Sequence, residues 1–140
     1  MKPAGRLTFE TVKTVGLALP DVEATTRHDG SPLLKVGGAF MAGIATHSSA
    51  EPETLVVRID LEAREFLLED ASDTYYVTDY YRKYPLVLVR LSKIDREALR
   101  DILATSRRLT LAKGRLRTRR RAAPRDRRVD PPRRRRPRDS

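Results

Sequence analysis

Apolar residues recur along this chain with two periods, and the sharpest signal lies at residues 84–91, YPLVLVRL. Pro85 has no amide hydrogen to give to a ladder, which suits the first residue of a strand, and the aliphatic and β-branched run behind it favours a pleated backbone. Counted by two, Val87, Val89 and Leu91 share one face and Leu86, Leu88 and Arg90 the other. This stretch is expected to be the central strand, with helices over the uncharged face and the other face at least partly open. The same alternation marks strands at residues 32–36 and 39–45, joined by Gly37-Gly38, whose tolerance of positive φ suits a two-residue hairpin. Residues 54–60, TLVVRID, form a further strand and residues 75–77 a short one.

The helical period appears three times. Thr8 is the expected N-cap of a first helix, with Glu10 in the first turn and Phe9, Val12, Val15 and Leu19 as its stripe, ended by Pro20. Burying each of those larger side chains contributes about 1.5–3 kcal/mol, so the stripe is expected to dock on the sheet. Residues 61–70, LEAREFLLED, are good helix formers. Asp95 caps a last helix whose apolar face is Ala98, Leu99, Ile102, Leu103 and Leu109. The order α-βββ-α-ββ-α predicts an α+β two-layer sandwich, with a largely antiparallel sheet of about five strands and helices on one face.

Charge changes the picture only once it is divided. The 140 residues carry 29 Lys+Arg and 19 Asp+Glu, net +10. Residues 1–113 hold 16 of each sign, whereas residues 114–140 hold 13 Arg against 3 Asp. All the excess lies in the C-terminal stretch, so the basic character belongs to an appendage and not to the folded part. Two parts are therefore expected, a domain over residues 1–113 and an Arg/Pro-rich tail over 114–140. The tail has prolines at 124, 131, 132 and 137 and almost no apolar residues, and is expected to be disordered. Cysteine is absent, which excludes disulfides and thiolate chemistry. The first residues lack an apolar leader segment and the apolar runs are far shorter than a membrane span, so a cytoplasmic protein is expected.

Several segments taken in order, LTFETVKTVGLALPDVE, SPLLKVGGAFMAGIA, TLVVRID, YPLVLVRLSKIDREALRDIL and SRRLTLAKG, resemble the MmcQ/YjbR family of small bacterial proteins. The resemblance covers residues 7–113. It implies a frataxin-like fold and a double-wing mode of DNA binding. The chain departs from the family pattern at Leu86, where members often have Trp after YP, and in its Arg-rich extension, to which the resemblance assigns no role.

On the expected strand phases, the face away from the helices carries Leu33, Lys35, Met41, Gly43, Val56, Arg58, Leu86, Leu88 and Arg90. Lys35, Arg58 and Arg90 are candidate phosphate contacts, with the Gly37-Gly38 hairpin and the loop at residues 46–53 as wings. A solvated face with basic edges explains the same cations. So does a homodimer or protein-partner interface built on Leu33, Val56, Leu86 and Leu88. All five tyrosines fall at positions 75, 76, 80, 81 and 84, beside Arg82 and Lys83, where they can stack on bases or pack in the core. In the tail, Arg115, Arg117, Arg119, Arg120 and Arg121 are candidate phosphate contacts, although a biased extension without a role fits the composition equally.

Enzyme chemistry finds little to stand on. His28 beside Asp29 and His47 beside Ser48 and Ser49 lack any motif of nucleophilic catalysis. No metal spacing, phosphate loop or dinucleotide fingerprint occurs, and the first helix offers only Glu10, so neither metal nor cofactor is expected. The expectation is a non-enzymatic DNA-binding protein of low sequence specificity, with a protein-interaction module as the alternative.

Overall fold

Strand and helix periods sort into a single antiparallel sheet, with the three longer helices layered on one side of it and one short helical turn on the other. The structure, a computed structural model, describes residues 7–122, and side chains as far as Lys113. In chain order the elements are α1 (Phe9–Leu17), β1 (Val22–Thr26), β2 (Pro32–Val36), β3 (Ala39–Ile44), β4 (Thr54–Arg58), α2 (Leu61–Asp70), β5 (Tyr75–Tyr76), α3 (Asp79–Arg82), β6 (Leu86–Arg90) and α4 (Arg96–Ala122). The strands lie in the order β1-β2-β3-β4-β6-β5, every pairing antiparallel. The expected α+β sandwich is what forms, with six strands in the sheet.

Three differences from the expected elements have local causes. β1, with the sequence VEATT, has one buried residue out of five, so it carries no apolar alternation; pairing with β2 holds it in the sheet. The stretch at 79–82, to which the sequence pattern assigns no helix or strand, closes a helical turn because the Thr78 hydroxyl caps it and Tyr81 is pulled into an apolar cluster. β6 is an interior strand but not the central one: only the two-residue β5 lies beyond it.

The helix-side face of the sheet holds the main core. Leu34, Ala42, Val57 and Val87 form one row across four strands, all wholly buried. α1 lies on β1 and β2, where Gly16 sits so close that a Cβ there would run into Leu34 Cδ1. α2 packs on β5 and β6, and α4 brings in Leu99, Ile102 and Leu103 while the Ser106 hydroxyl donates to the Met41 carbonyl at 3.2 Å. Asp60 and Asp95 each accept from a first-turn amide at 2.8 Å, so both expected helix starts are capped. Thr8 occupies the N-cap of α1 without a side-chain bond.

The opposite face is open only in part, as expected. Its central row runs Thr25, Leu33, Gly43, Val56, Leu88 and Tyr76, and Leu33, Val56 and Leu88 are buried. Tyr81 of α3 packs on Val56 and Leu88, with Phe40, Ala45, Ala50, Tyr76, Val77 and Leu86 around them. The aliphatic surface expected to serve a dimer or partner is thus largely consumed by a second, small core. Met41 was expected on this face, but the β2–β3 register shifts between Leu34 and Lys35, so Phe40 pairs with Lys35 and joins the outer cluster. Met41 is wholly buried and is not part of it.

The compact unit ends at Thr110, and a second unit begins at Leu111. The α4 backbone stays helical to Ala122, so the boundary expected at Gly114 does not coincide with a helix end. The remainder of the expected tail, residues 123–140, lies outside the described residues.

Candidate nucleic-acid interface

The loop at residues 46–53 is expected to be a free wing, but hydrogen bonds fasten it to the tyrosine segment. The His47 amide donates to the Tyr81 hydroxyl at 3.2 Å, the Glu51 amide donates to the Tyr76 hydroxyl at 2.8 Å, and the Ser49 and Thr78 hydroxyls meet at 2.9 Å. Tyr76 also meets the Thr54 hydroxyl at 2.7 Å. These bonds give both tyrosine hydroxyls partners while their rings pack, the usual resolution for a half-buried phenol.

Seated this way, His47 stacks on Tyr80 with ring centroids 3.5 Å apart and planes 8° from parallel. Tyr81 meets both rings edge-on, at 6.1 Å from His47 and 5.0 Å from Tyr80, and Tyr84 lies tilted 6.1 Å from Tyr80. The His47 ring is itself oriented by Ser49, whose amide and hydroxyl both lie within 3.0 Å of Nδ1. Lys83 carries its ammonium 5.4 Å from the Tyr80 ring centre and 5.5 Å from that of Tyr84, within cation–π range. Across the hollow, the Arg27 guanidinium lies 5.7 Å from the Phe40 ring and donates to the Ser31 hydroxyl and the Ile44 carbonyl. Arg27, Phe40, Thr46, His47, Val56, Tyr80, Tyr81, Tyr84 and Leu86 enclose a depression of about 290 Å³.

The cations expected to touch DNA are placed unevenly. Lys35, Arg58 and Arg90 all project from the outer face, as the strand phases require. Lys35 is cross-strand from Glu23, and Arg58 donates from Nε to the Phe40 carbonyl at 3.0 Å. Arg90 stands at the far end of β6 from the position opposite Arg58, about 13 Å along the strand. Its Nε and Nη2 each reach a Glu51 carboxylate oxygen at 2.9 Å, Nη1 donates to the Ser72 and Asp73 carbonyls, and its guanidinium lies 4.2 Å from the Tyr76 ring centre. The hydrogen bond from Arg90 holds the Glu51 carboxyl below its ordinary pKa, and Glu51 in turn raises that of Arg90. A guanidinium so engaged is a structural clamp with little left to offer a phosphate. Arg82 is exposed beside an exposed Asp79 at 3.7 Å, a pair worth little in solvent. Arg115, Arg117, Arg119, Arg120 and Arg121 all lie on the α4 backbone.

Sequence reasoning singled out the tyrosines with Arg82 and Lys83 but passed over Arg27 and Phe40 and treated His47 as an ordinary loop residue. Only the pairing of β1 with β2 and the tethering of the 46–53 loop bring them together. Among the described residues no group of three or more His, Asp or Glu side chains is arranged to hold a metal ion, and no helix is long and apolar enough to cross a membrane.

With this geometry in view, the comparisons define the class. The family model for YjbR matches residues 17–109, and the chain belongs to the YjbR family. Its fold is also that of the crystal structure of the Deinococcus radiodurans protein DR2400, a DUF419 domain: the TM-score is 0.62 at 24% identity, covering 81% of this chain and 83% of that one. A comparison with curated proteins finds no match.

Proposed function

We propose that this is a non-enzymatic, cytoplasmic DNA-binding protein of low sequence specificity. The observation that carries the reading is the charge of α4. After Asp101 the helix runs to Ala122 without a single carboxylate, while Arg107, Arg108, Lys113, Arg115, Arg117, Arg119, Arg120 and Arg121 lie along it. Arginines this dense in sequence supply positive charge for a phosphate backbone, where each neutralised phosphate releases counterions whatever the base sequence. Within the compact unit, Lys35 and Arg58 from the outer sheet face and Arg82 and Lys83 from the end of α3 add further contacts, and family membership is in keeping with this reading.

The test is binding of the full chain to duplex DNA of two unrelated sequences over a range of salt. Similar affinities for the two sequences and a steep fall with salt support the proposal; no binding at low salt removes it.

A further inference from the structure

Two of the five tyrosines remain exposed on the outer face although the others are drawn into packing. Tyr80 and Tyr84 are each 41% exposed, whereas Tyr75 and Tyr81 are buried. Aromatic rings left in solvent at the mouth of a hollow, with a lysine ammonium over both, are poorly explained by stability alone. The outer core is closed by Tyr81, Val56 and Leu88 beneath them.

We propose that the hollow between Arg27, Phe40, His47, Tyr80 and Tyr84 receives one unpaired nucleobase, so that the protein prefers single-stranded or locally opened DNA to intact duplex. The inference rests on the DNA-binding reading and adds the strand state that this site selects. Its volume, about 290 Å³, is at the small end of ligand pockets and suits a single flat ring system rather than a stacked base pair. Its walls are π surfaces, which bases of every kind can stack on, so it selects for an unstacked base without selecting a sequence. Lys83 beside Tyr80 and Tyr84, and Arg27 beside Phe40, place cations at the edge of the hollow where the flanking phosphates of a bound nucleotide would run. Inside a duplex the base faces are occupied by their neighbours and the hollow has no access to them.

His47 has a positioning part. Its ring backs Tyr80 face to face, while Ser49 fixes its Nδ1 edge, so Tyr80 is held rigid before any base arrives. Pre-ordering of this kind lowers the entropy lost on binding.

The experiment uses the full chain and three fluorescent probes: a mixed-sequence single strand containing 2-aminopurine, the same strand annealed to its complement, and a single strand with abasic sites. The expected result is about tenfold tighter binding to the single strand than to either the duplex or the abasic strand, with a change in 2-aminopurine emission on stacking. Tyr80→Ala and Tyr84→Ala should each remove most of that preference and leave duplex affinity unchanged, and Tyr80→Phe should retain it, since it keeps the ring. Thermal melting of each variant separates loss of the ring from loss of fold. If duplex and single strand bind equally well and the alanine variants match the parent, the base site is refuted while DNA binding stands. If no DNA form is bound, the DNA reading and the base site fall together.

Discussion

Arg90 and Glu51 meet in a two-pronged ion pair, with both nitrogen to oxygen distances at 2.9 Å, thirty-nine residues apart in sequence. The pair joins the loop after β3 to the last strand, and the same arginine ties down the Ser72 and Asp73 carbonyls before β5. Removing the carboxylate alone, by Glu51→Gln, is expected to cost at most about 1 kcal/mol, because Glu51 is half exposed and solvent screens the pair. Because the folded state depresses the Glu51 pKa, this stability is complete above its ordinary value of 4.5 and is lost as pH falls through the lower folded value. Melting curves of parent and variant should therefore differ near neutral pH and converge in acid.

Charge reversal at Arg90 should damage the fold before it informs on DNA. Arg90→Glu sets a carboxylate against Glu51 and strips two backbone carbonyls of their donor, for a loss of about 2–4 kcal/mol. Lys83→Glu, at an exposed residue, should leave the melting temperature within about 2 °C and lower DNA affinity. Chemical denaturation paired with a binding titration on both variants checks the contrast.

Gly43 stands opposite Leu33 in the sheet, and a Cβ there would lie 2.8 Å from the Leu33 Cβ, 3.1 Å from Phe40 and 3.2 Å from Arg27. The Leu33 Cβ is fixed to its strand and cannot swing aside as a side-chain tip can. Gly43→Ala is expected to destabilise by about 1–3 kcal/mol through overpacking and to displace Phe40 and Arg27 together. Urea denaturation measures the first effect and proton NMR of the Phe40 ring the second.

The two cores are distinguished by matched truncations. Leu88 is wholly buried in the outer cluster, so Leu88→Ala should cost about 2–5 kcal/mol, comparable to a cut in the helix-side core. Phe66 is 65% exposed on α2, and Phe66→Ala should change stability by no more than about 0.5 kcal/mol. A small loss at Leu88 would show that the cluster under Tyr81 is not packed as described.

The arginines of α4 should set the salt response. Replacing Arg115, Arg117, Arg119, Arg120 and Arg121 by Gln in the full chain is expected to flatten the log-log dependence of duplex affinity on salt by about 0.9 for each arginine that meets a phosphate. An unchanged slope would assign the electrostatics elsewhere.

Much of this architecture could be read in the residues because period and punctuation agreed. Gly37-Gly38 adopts positive φ at both positions, Asp60 and Asp95 cap their helices, and the alternation in 54–58 and 86–90 gives the faces correctly. β1 was illegible since four of its five residues are exposed, and a strand held by its neighbour's ladder leaves no apolar trace. The phase error at Met41 has a similar origin: one bulge between Leu34 and Lys35 interrupts counting by two, and nothing in AFMAG announces it. Arg90 reads as a candidate phosphate contact in the sequence because its partner Glu51 lies thirty-nine residues away. His47 gained importance only through the loop that carries it, whose tethering hydroxyls belong to tyrosines some thirty residues on.

α2 shows four carboxylates, Glu62, Glu65, Glu69 and Asp70, while its lone arginine, Arg64, is turned inward to the Tyr84 and Leu86 carbonyls. That inward turn strips the helix of any counterbalance at its surface. A polyanion nearing the compact unit would meet repulsion along this flank, so under the DNA-binding proposal α2 is the side least suited to face the duplex.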